Sequence, residues 1–243
     1  MKKSVFPFTR ITPCSRVIGR RVFLFEKLEV HAMFETMELP VRRGNVSLRV
    51  AKGHFATNHS HINYYIDITN QKIRLADAKA VAAELAKNFA NTQIDTILCM
   101  DGMTLVGACL AEALTSGNRP ASDPNEISVV EPEYNSVNQM VFRDNVQPHI
   151  RDKKVLVLMA SITTGFTAKR GVAATRYYGG SVVGVTGIYR AVEQLEDTSV
   201  KVSSIYSTKD LPDYESYDLH RCPFCKSGRR IDALVTSNGY TKL

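Results

Sequence analysis

No stretch of this 243-residue chain approaches the roughly 18 consecutive apolar residues that a membrane-spanning helix needs, so a soluble, cytoplasmic protein with no membrane partner is expected. Cysteine is sparse. The five present, an odd number scattered through a mid-sized chain, exclude a disulfide framework and fit a reducing compartment. A basic stripe is missing as well. The net charge is +7, but residues 1–32 carry Lys2, Lys3, Arg10, Arg16, Arg20, Arg21 and Lys27 against Glu26 and Glu29, a net +5 that leaves only +2 for the other 211 residues. That near-neutral body argues against a nucleic-acid partner. Residues 1–32 also lack a sustained period and a small-residue cleavage site, and their two glutamates are out of place in a targeting peptide. They are expected to be a basic extension outside the folded unit, with Met33 or Met37 as starting points. The 44% hydrophobic content suffices to bury the core of one α/β domain.

That domain is organised around Val155-Leu156-Val157-Leu158-Met159-Ala160-Ser161-Ile162-Thr163-Thr164-Gly165-Phe166-Thr167. Four aliphatic residues following the charged Arg151-Asp152-Lys153-Lys154 have the pattern of a strand buried on both faces of a parallel sheet. A helix-compatible segment, Ala168 to Tyr178, follows and is closed by Gly179-Gly180. Strand, Thr-Thr-Gly-x-Thr turn and helix N-terminus make an anion cradle, since backbone N–H groups and the helix dipole converge and the threonine hydroxyls add donors. A phosphate suits it. A plain strand–helix junction whose threonines cap the helix would leave the same pattern.

The stretch resembles the phosphoribosyl pyrophosphate (PRPP) motif of type I phosphoribosyltransferases. The resemblance implies a 5′-phosphate loop at Ser161, Thr163, Thr164, Gly165, Phe166 and Thr167. In that family two adjacent acidic residues end the strand and hold the ribose hydroxyls, whereas Met159-Ala160 stands there in this chain. The phosphate half is kept and the ribose half is lost.

Upstream, Glu38 to Val50 reads as a turn and a short alternating strand, followed by Gly53-His54-Phe55 and Asn63-Tyr64-Tyr65-Ile66-Asp67. This is similar to the N-terminal hood of orotate phosphoribosyltransferases, with the spacing one residue short and Asn58-His59-Ser60-His61 in the Ser-Gly region. The resemblance implies a hood over residues 38–67 whose Phe55, Tyr64 and Tyr65 cover a base. His54, His59 and His61 read as loop and hood residues, because no acidic partner sits at ligand spacing. Leu75 to Asn91 is a helix with Leu75, Ala78, Ala82, Leu85, Ala86 and Phe89 on one face. Ile94 to Met100 is a buried strand that enters Asp101-Gly102-Met103-Thr104 and a small-residue helix, Leu105 to Thr115. The junction is either a tight turn capped by Thr104 or a second ligand loop. By the resemblance, Asp101, Gly102 and Met103 receive a pyrophosphate.

Asn118 to Asn125 is a surface loop and Ile127 to Val130 a strand. Glu131 to Val146 has no period, and it keeps only Arg143 where the family carries a basic mobile loop. Its own Glu131, Glu133 and Asp144 weaken it as a clamp on a polyanion. Ser181 to Val185 and Lys201 to Ile205 complete an alternation of strand and helix. The expected fold is therefore a Rossmann-like parallel sheet of about five strands flanked by helices, the type I phosphoribosyltransferase fold, over residues 33–210, with ligands at the carboxyl ends of the strands.

A C-terminal tail, 211–243, carries Cys222-Pro223-Phe224-Cys225-Lys226-Ser227-Gly228. This thiolate knuckle is half a tetrahedral zinc site or a thiol pair on a turn. Cys14, Cys99 and Cys109 complete it poorly; His220, or a second knuckle across a two-fold dimer, are the other completions. Two functions follow. The first is transfer of phosphoribose from PRPP and Mg²⁺ to a nucleobase in nucleotide metabolism, by a homodimer with a phosphosugar or nucleotide as its small-molecule partner. The second is an inactive nucleotide- or phosphosugar-sensing or assembly module that keeps only the cradle.

Overall fold

The computed structural model describes residues 34–39, 44–115, 126–196, 198–237 and 239–243, all within the compact unit Met33–Leu243. The expectations for residues 1–32 and for the Asn118 to Asn125 loop lie outside the described residues.

Chain entry is by two antiparallel strands, β1 (Thr36–Leu39) and β2 (Leu48–Ala56), and β3 (His61–Asp67) then pairs antiparallel with β2. The short strand expected to end at Val50 runs on to Ala56 and absorbs Gly53-His54-Phe55. It can do so because its register against β3 shifts between Lys52 and Phe55, the sign of a bulge that accommodates an extra residue. A short helix α1 (Thr69–Ile73) leads into α2 (Leu75–Ala86). Ala78, Val81, Ala82 and Leu85 of α2 are buried at helical spacing, whereas Leu75 is exposed.

Next come β4 (Thr96–Cys99), α3 (Thr104–Thr115), β5 (Ser128–Val130) and a two-stranded hairpin of β6 (Glu133–Tyr134) and β7 (Met140–Val141). The central β8 (Lys154–Ile162) extends through Met159-Ala160 and feeds α4 (Phe166–Tyr177); β9 (Ser181–Arg190) and β10 (Val202–Ser207) follow. These form a five-stranded sheet, β10-β9-β8-β4-β5, in which every neighbouring pair is parallel. Alternate residues of β8 enter two cores. Val155, Val157 and Met159 pack with Ala168 and Val172 of α4, and Leu156, Leu158 and Ala160 pack on the side of α2 and α3. Burial on both faces is why this strand reads as an unbroken apolar run rather than an alternation.

The tail adds β11 (Ser216–Tyr217), a one-turn helix α5 (Pro223–Lys226), β12 (Ala233–Thr236) and β13 (Gly239–Lys242). It supplies three of the six strands of a second sheet, ordered β11-β3-β2-β12-β13 with β1 also on β2. β12 runs parallel to β2 and pairs with Phe55 and Ala56, beyond the segment of β2 that β1 covers. Hood and tail are thus one sheet.

Candidate functional site

A cavity of about 780 Å³ opens where the carboxyl ends of β4 and β8 face the second sheet. Its floor is the segment from Met159 to Ala168, which includes Ser161, Thr163, Thr164, Gly165, Phe166 and Thr167. Gly165 caps α4 with φ of +76°, a left-handed conformation that glycine adopts without strain. No side chain caps the helix in the usual way; the Phe166 N–H donates to Thr164 Oγ1 at 3.4 Å, and the first helical bond is Lys169 N–H to the Gly165 carbonyl at 2.9 Å. Of the first-turn N–H groups of this three-turn helix, that of Phe166 is turned to Thr164, and those of Thr167 and Ala168 follow it at the positive end of the dipole.

Met159 is 2% exposed and Ala160 7% exposed. Both line the cavity, and neither brings a polar side chain to it. Beside them, β4 ends in Asp101 and Gly102, both at positive φ (+56° and +73°). The half-buried Asp101 carboxyl accepts the Ala160 N–H; burial raises its pKa, while Lys72 and that hydrogen bond act in the opposite sense. Lys72, on α1, lines the same cavity and donates from Nζ to the Ser237 carbonyl at 2.6 Å. Burial lowers its pKa and Asp101 raises it.

A second cation, Arg170 of α4, donates to the Asn138 carbonyl and lies 5.9 Å from the centroids of both the Tyr134 and Phe166 rings. Phe166 in turn meets the His59 ring at 4.8 Å between centroids. Lys72 and Arg170 are offset by Asp101 and by Glu131, whose carboxylate accepts the Thr104 hydroxyl. The cavity lining mixes polar and apolar groups in about equal measure, and its two cations and two carboxyl groups balance.

Of the expected site residues, the structure brings together the whole Ser161–Thr167 segment, Asp101, Gly102 and Tyr65. It does not bring Met103, Phe55 or Tyr64 to the cavity wall. Met103 is buried in the core; Phe55 is fully buried against Phe34 at 5.1 Å and Tyr65 at 6.1 Å; Tyr64 lies under Lys52. Arg143 is spent on Glu133 in the hairpin at 2.7 Å, away from the cavity. Sequence reasoning missed Lys72, Arg170, Tyr134 and the wall made by Val235–Ser237, since no spacing relates them to the motif.

Outside the cavity, His54, His61, Cys222 and Cys225 bring four ligand atoms within 4.8 Å of one another, a group able to hold a metal ion. The hood histidines therefore divide: His59 faces the cavity, and His54 and His61 meet the tail thiols. Reading them as plain hood residues overlooked this because their partners lie more than 160 residues downstream. Cys99 is buried, and its thiol is pushed up to about 12 mainly by that burial, which keeps it protonated and inert. No helix among the described residues is long and apolar enough to cross a membrane.

No family model matches the chain. It is 25% identical over 206 residues to the orotate phosphoribosyltransferase of Caldanaerobacter subterraneus subsp. tengcongensis, a match that covers 84% of this chain and 94% of that protein. Among solved structures, UMP synthase of Leishmania donovani superposes with a TM-score of 0.52 at 15% identity, covering 74% of this chain and 36% of that one. Orotate phosphoribosyltransferase of Mycobacterium tuberculosis in complex with PRPP gives a TM-score of 0.45 at 19% identity, covering 60% and 82%. The chain is orotate phosphoribosyltransferase-like in sequence, and its fold is the phosphoribosyltransferase fold.

Proposed function

We propose that this phosphoribosyltransferase-like chain binds a 5-phosphoribosyl compound, PRPP or a nucleoside monophosphate, in the cavity above β8 and transfers phosphoribose to or from a nucleobase slowly. The observation that carries the reading is the turn at Gly165, where a left-handed residue and a helix start without a side-chain cap lie in the cavity lining. In this reading the N–H groups of Thr167 and Ala168 and the hydroxyls of Thr163, Thr164 and Thr167 hold the 5′-phosphate, and the Phe166 N–H positions the Thr164 hydroxyl. The Asp101–Gly102 turn receives the pyrophosphate, with Lys72 as the cation beside it. Phe166, Tyr134 and Arg170 form the flat rim on which a base can stack.

Magnesium would accompany PRPP by analogy with such enzymes. It takes hard oxygen ligands, and Met159 and Ala160 have none in their side chains. The carboxylates lining the cavity, Asp101 and Glu131, are engaged with the Ala160 N–H and the Thr104 hydroxyl. The strand end does not fit a protein-held magnesium ion, and no step is assigned to one. What the chain supplies is position: both ends of a phosphosugar held by backbone donors, with the ribose between them beside Met159 and Ala160. Two missing charge-assisted contacts to the ribose, about 1.5–3 kcal/mol each, correspond to a loss of about 10²–10⁴-fold. From a typical turnover of about 10 s⁻¹, that leaves about 10⁻¹ to 10⁻³ s⁻¹. Cys222 and Cys225 lie outside the cavity lining and have no part in this chemistry.

The test is calorimetric titration with PRPP, ribose 5-phosphate and nucleoside monophosphates, with and without Mg²⁺, followed by pyrophosphate release with orotate. Binding of all phosphosugars with slow release supports the proposal. Absence of binding by any of them overturns it, and binding without any release reduces the chain to a sensing module.

A further inference from the structure

The CPFC knuckle takes no part in the cavity, yet the chain brings it against the two most buried hood histidines. His54 is fully buried, His61 is 7% exposed and Cys222 is 1% exposed. His54 Nε2 lies 3.0 Å from His61 Nδ1, 3.4 Å from Cys222 Sγ and 3.7 Å from Cys225 Sγ, and Cys225 Sγ lies 3.3 Å from His61 Nδ1. A tetrahedral zinc ion with Zn–N of about 2.05 Å and Zn–S of about 2.3 Å sets its ligands about 3.3 Å apart for N and N, about 3.6 Å for N and S, and about 3.8 Å for S and S. The one N–N and three N–S separations above lie within about 0.3 Å of those values, and all four atoms lie within 4.8 Å of one another.

The hydrogen-bonding partners of His54 decide which of its nitrogens faces the cluster with a lone pair. Nδ1 lies 3.1 Å and 3.0 Å from the carbonyl oxygens of Arg229 and Arg230, both acceptors, so the proton belongs on Nδ1. Nε2 of the neutral ring is then a lone pair aimed at three groups at once. Without an ion, His61 and two thiols compete for that single acceptor. With one, all four atoms are satisfied, and the carbonyl–histidine contacts orient the ligand as they do at many zinc sites. Two thiolates and two neutral imidazoles around Zn²⁺ sum to zero charge, which suits a site where three ligands are buried and only Cys225 is exposed. Soft sulfur with imidazole at tetrahedral spacing selects zinc over magnesium or calcium.

Local structure presents the ligands from both sides. Cys222 precedes the turn Pro223–Lys226, the Lys226 N–H returns to the Cys222 carbonyl at 3.2 Å, and Gly228 closes the knuckle at φ of +76°. Opposite, Ala56 of β2 pairs with His61 of β3, which places His54 and His61 diagonally on one face of the hairpin. The knuckle then leads through Asp232, whose carboxylate accepts the His54 N–H at 2.6 Å, into β12.

We propose that His54 Nε2, His61 Nδ1, Cys222 Sγ and Cys225 Sγ bind one zinc ion per chain and staple the C-terminal segment to the hood. Each thiol gives up its proton to solvent on binding, so two protons leave per ion. The staple holds β12, and with it the Val235–Ser237 wall of the cavity, in place.

The test uses the full chain, purified without chelator or a histidine tag. Elemental analysis should return one zinc per chain, X-ray absorption should give a shell of two sulfurs and two nitrogens, and cobalt(II) exchange should give a thiolate charge-transfer band with tetrahedral visible absorption. His61→Ala and Cys225→Ser should each lower metal content at least tenfold, and His220→Ala should leave it unchanged. Folded protein that contains no zinc and takes up none from solution overturns the proposal, as does half an ion per chain in a four-sulfur shell. So does retention of the native spectrum by His61→Ala. The absorption measurement on the parent chain decides the ligand set even where a variant fails to fold. None of these readouts depends on phosphosugar binding.

Discussion

Replacing Gly165 with alanine tests the cradle, because the cost divides into two parts that a second glycine separates. Gly165 and Gly102 sit at φ of +76° and +73°, so a methyl group at either meets the same backbone penalty, about 1–2 kcal/mol. They differ in what the new Cβ would touch. At Gly102 nothing lies within 4 Å, whereas at Gly165 the Cβ would sit 2.8 Å from Leu195 Cδ2. Leu195 is 3% exposed in the core on the α4 side and has little room to withdraw, which adds an overpacking cost of about 1–3 kcal/mol. Gly102→Ala is therefore expected to lose about 1–2 kcal/mol and Gly165→Ala about 2–5 kcal/mol. With about 2–4 °C per kcal/mol for a chain of this size, the drops in melting temperature are about 2–8 °C and about 4–20 °C. Because relief at Gly165 requires the turn to move, the N–H groups that follow it are re-aimed. Ribose 5-phosphate affinity, measured by calorimetry well below the melting point, should fall at least tenfold in Gly165→Ala. Equal melting losses in the two variants would refute the steric argument. Undiminished affinity in Gly165→Ala would show that the turn does not hold the phosphate.

The raised pKa of Asp101 fixes the sign of a pH effect. A carboxyl that is harder to ionise in the folded chain costs nothing when protonated in both states, and it destabilises increasingly as pH climbs from its ordinary 3.8 through the raised folded value. Asp101→Asn, which tolerates the positive φ, should match the parent in melting temperature below that range and exceed it at pH 7; the reverse order would refute the assignment. Lys72→Met should weaken PRPP binding about 5–30-fold, or about 1–2 kcal/mol for one charge-assisted contact, and flatten its salt dependence. Titration at two ionic strengths reads both. Ala160→Asp would set a second carboxylate beside Asp101, so PRPP binding should become dependent on Mg²⁺ while ribose 5-phosphate binding falls; unchanged affinity for both would show that Ala160 is remote from the ligand.

Much of this was legible in the chain because it is local. Four aliphatic residues buried on both faces announced β8, and a Thr-Thr-Gly turn announced the start of α4. Asp101-Gly102 was found the same way, as a polar break after a buried strand. The departure at Met159-Ala160 was equally plain, and the structure adds that Met159 has joined the core on the α4 side. What stayed hidden depends on pairing across long separations. Lys72 sits in a five-residue helix with no pattern of its own, and only the fold carries its ammonium to Ser237. Glu131 to Val146 had no period because its strands are two residues long and held by Arg170 and by side-chain bonds. The tail read as an appendage because β12 and β13 are four residues each, too short to signal that they complete a sheet begun near residue 36.

The position of β12 beside β2 has a consequence for how the chain comes off the ribosome. His54 and Asp232, which exchange hydrogen bonds, are 178 residues apart, and every strand of the five-stranded sheet is made in between. At about 5–20 residues per second, one edge of β2 around Phe55 waits about 9–36 s for its partner. An uncovered strand edge is a template for pairing with another chain. A nascent protein halted after Ser207 would have its parallel sheet and an open hood, and release at that point favours edge-to-edge association between copies. Synthesis of β12 and Ser237 both covers that edge and supplies the Val235–Ser237 wall of the cavity, so edge and wall are completed in one event.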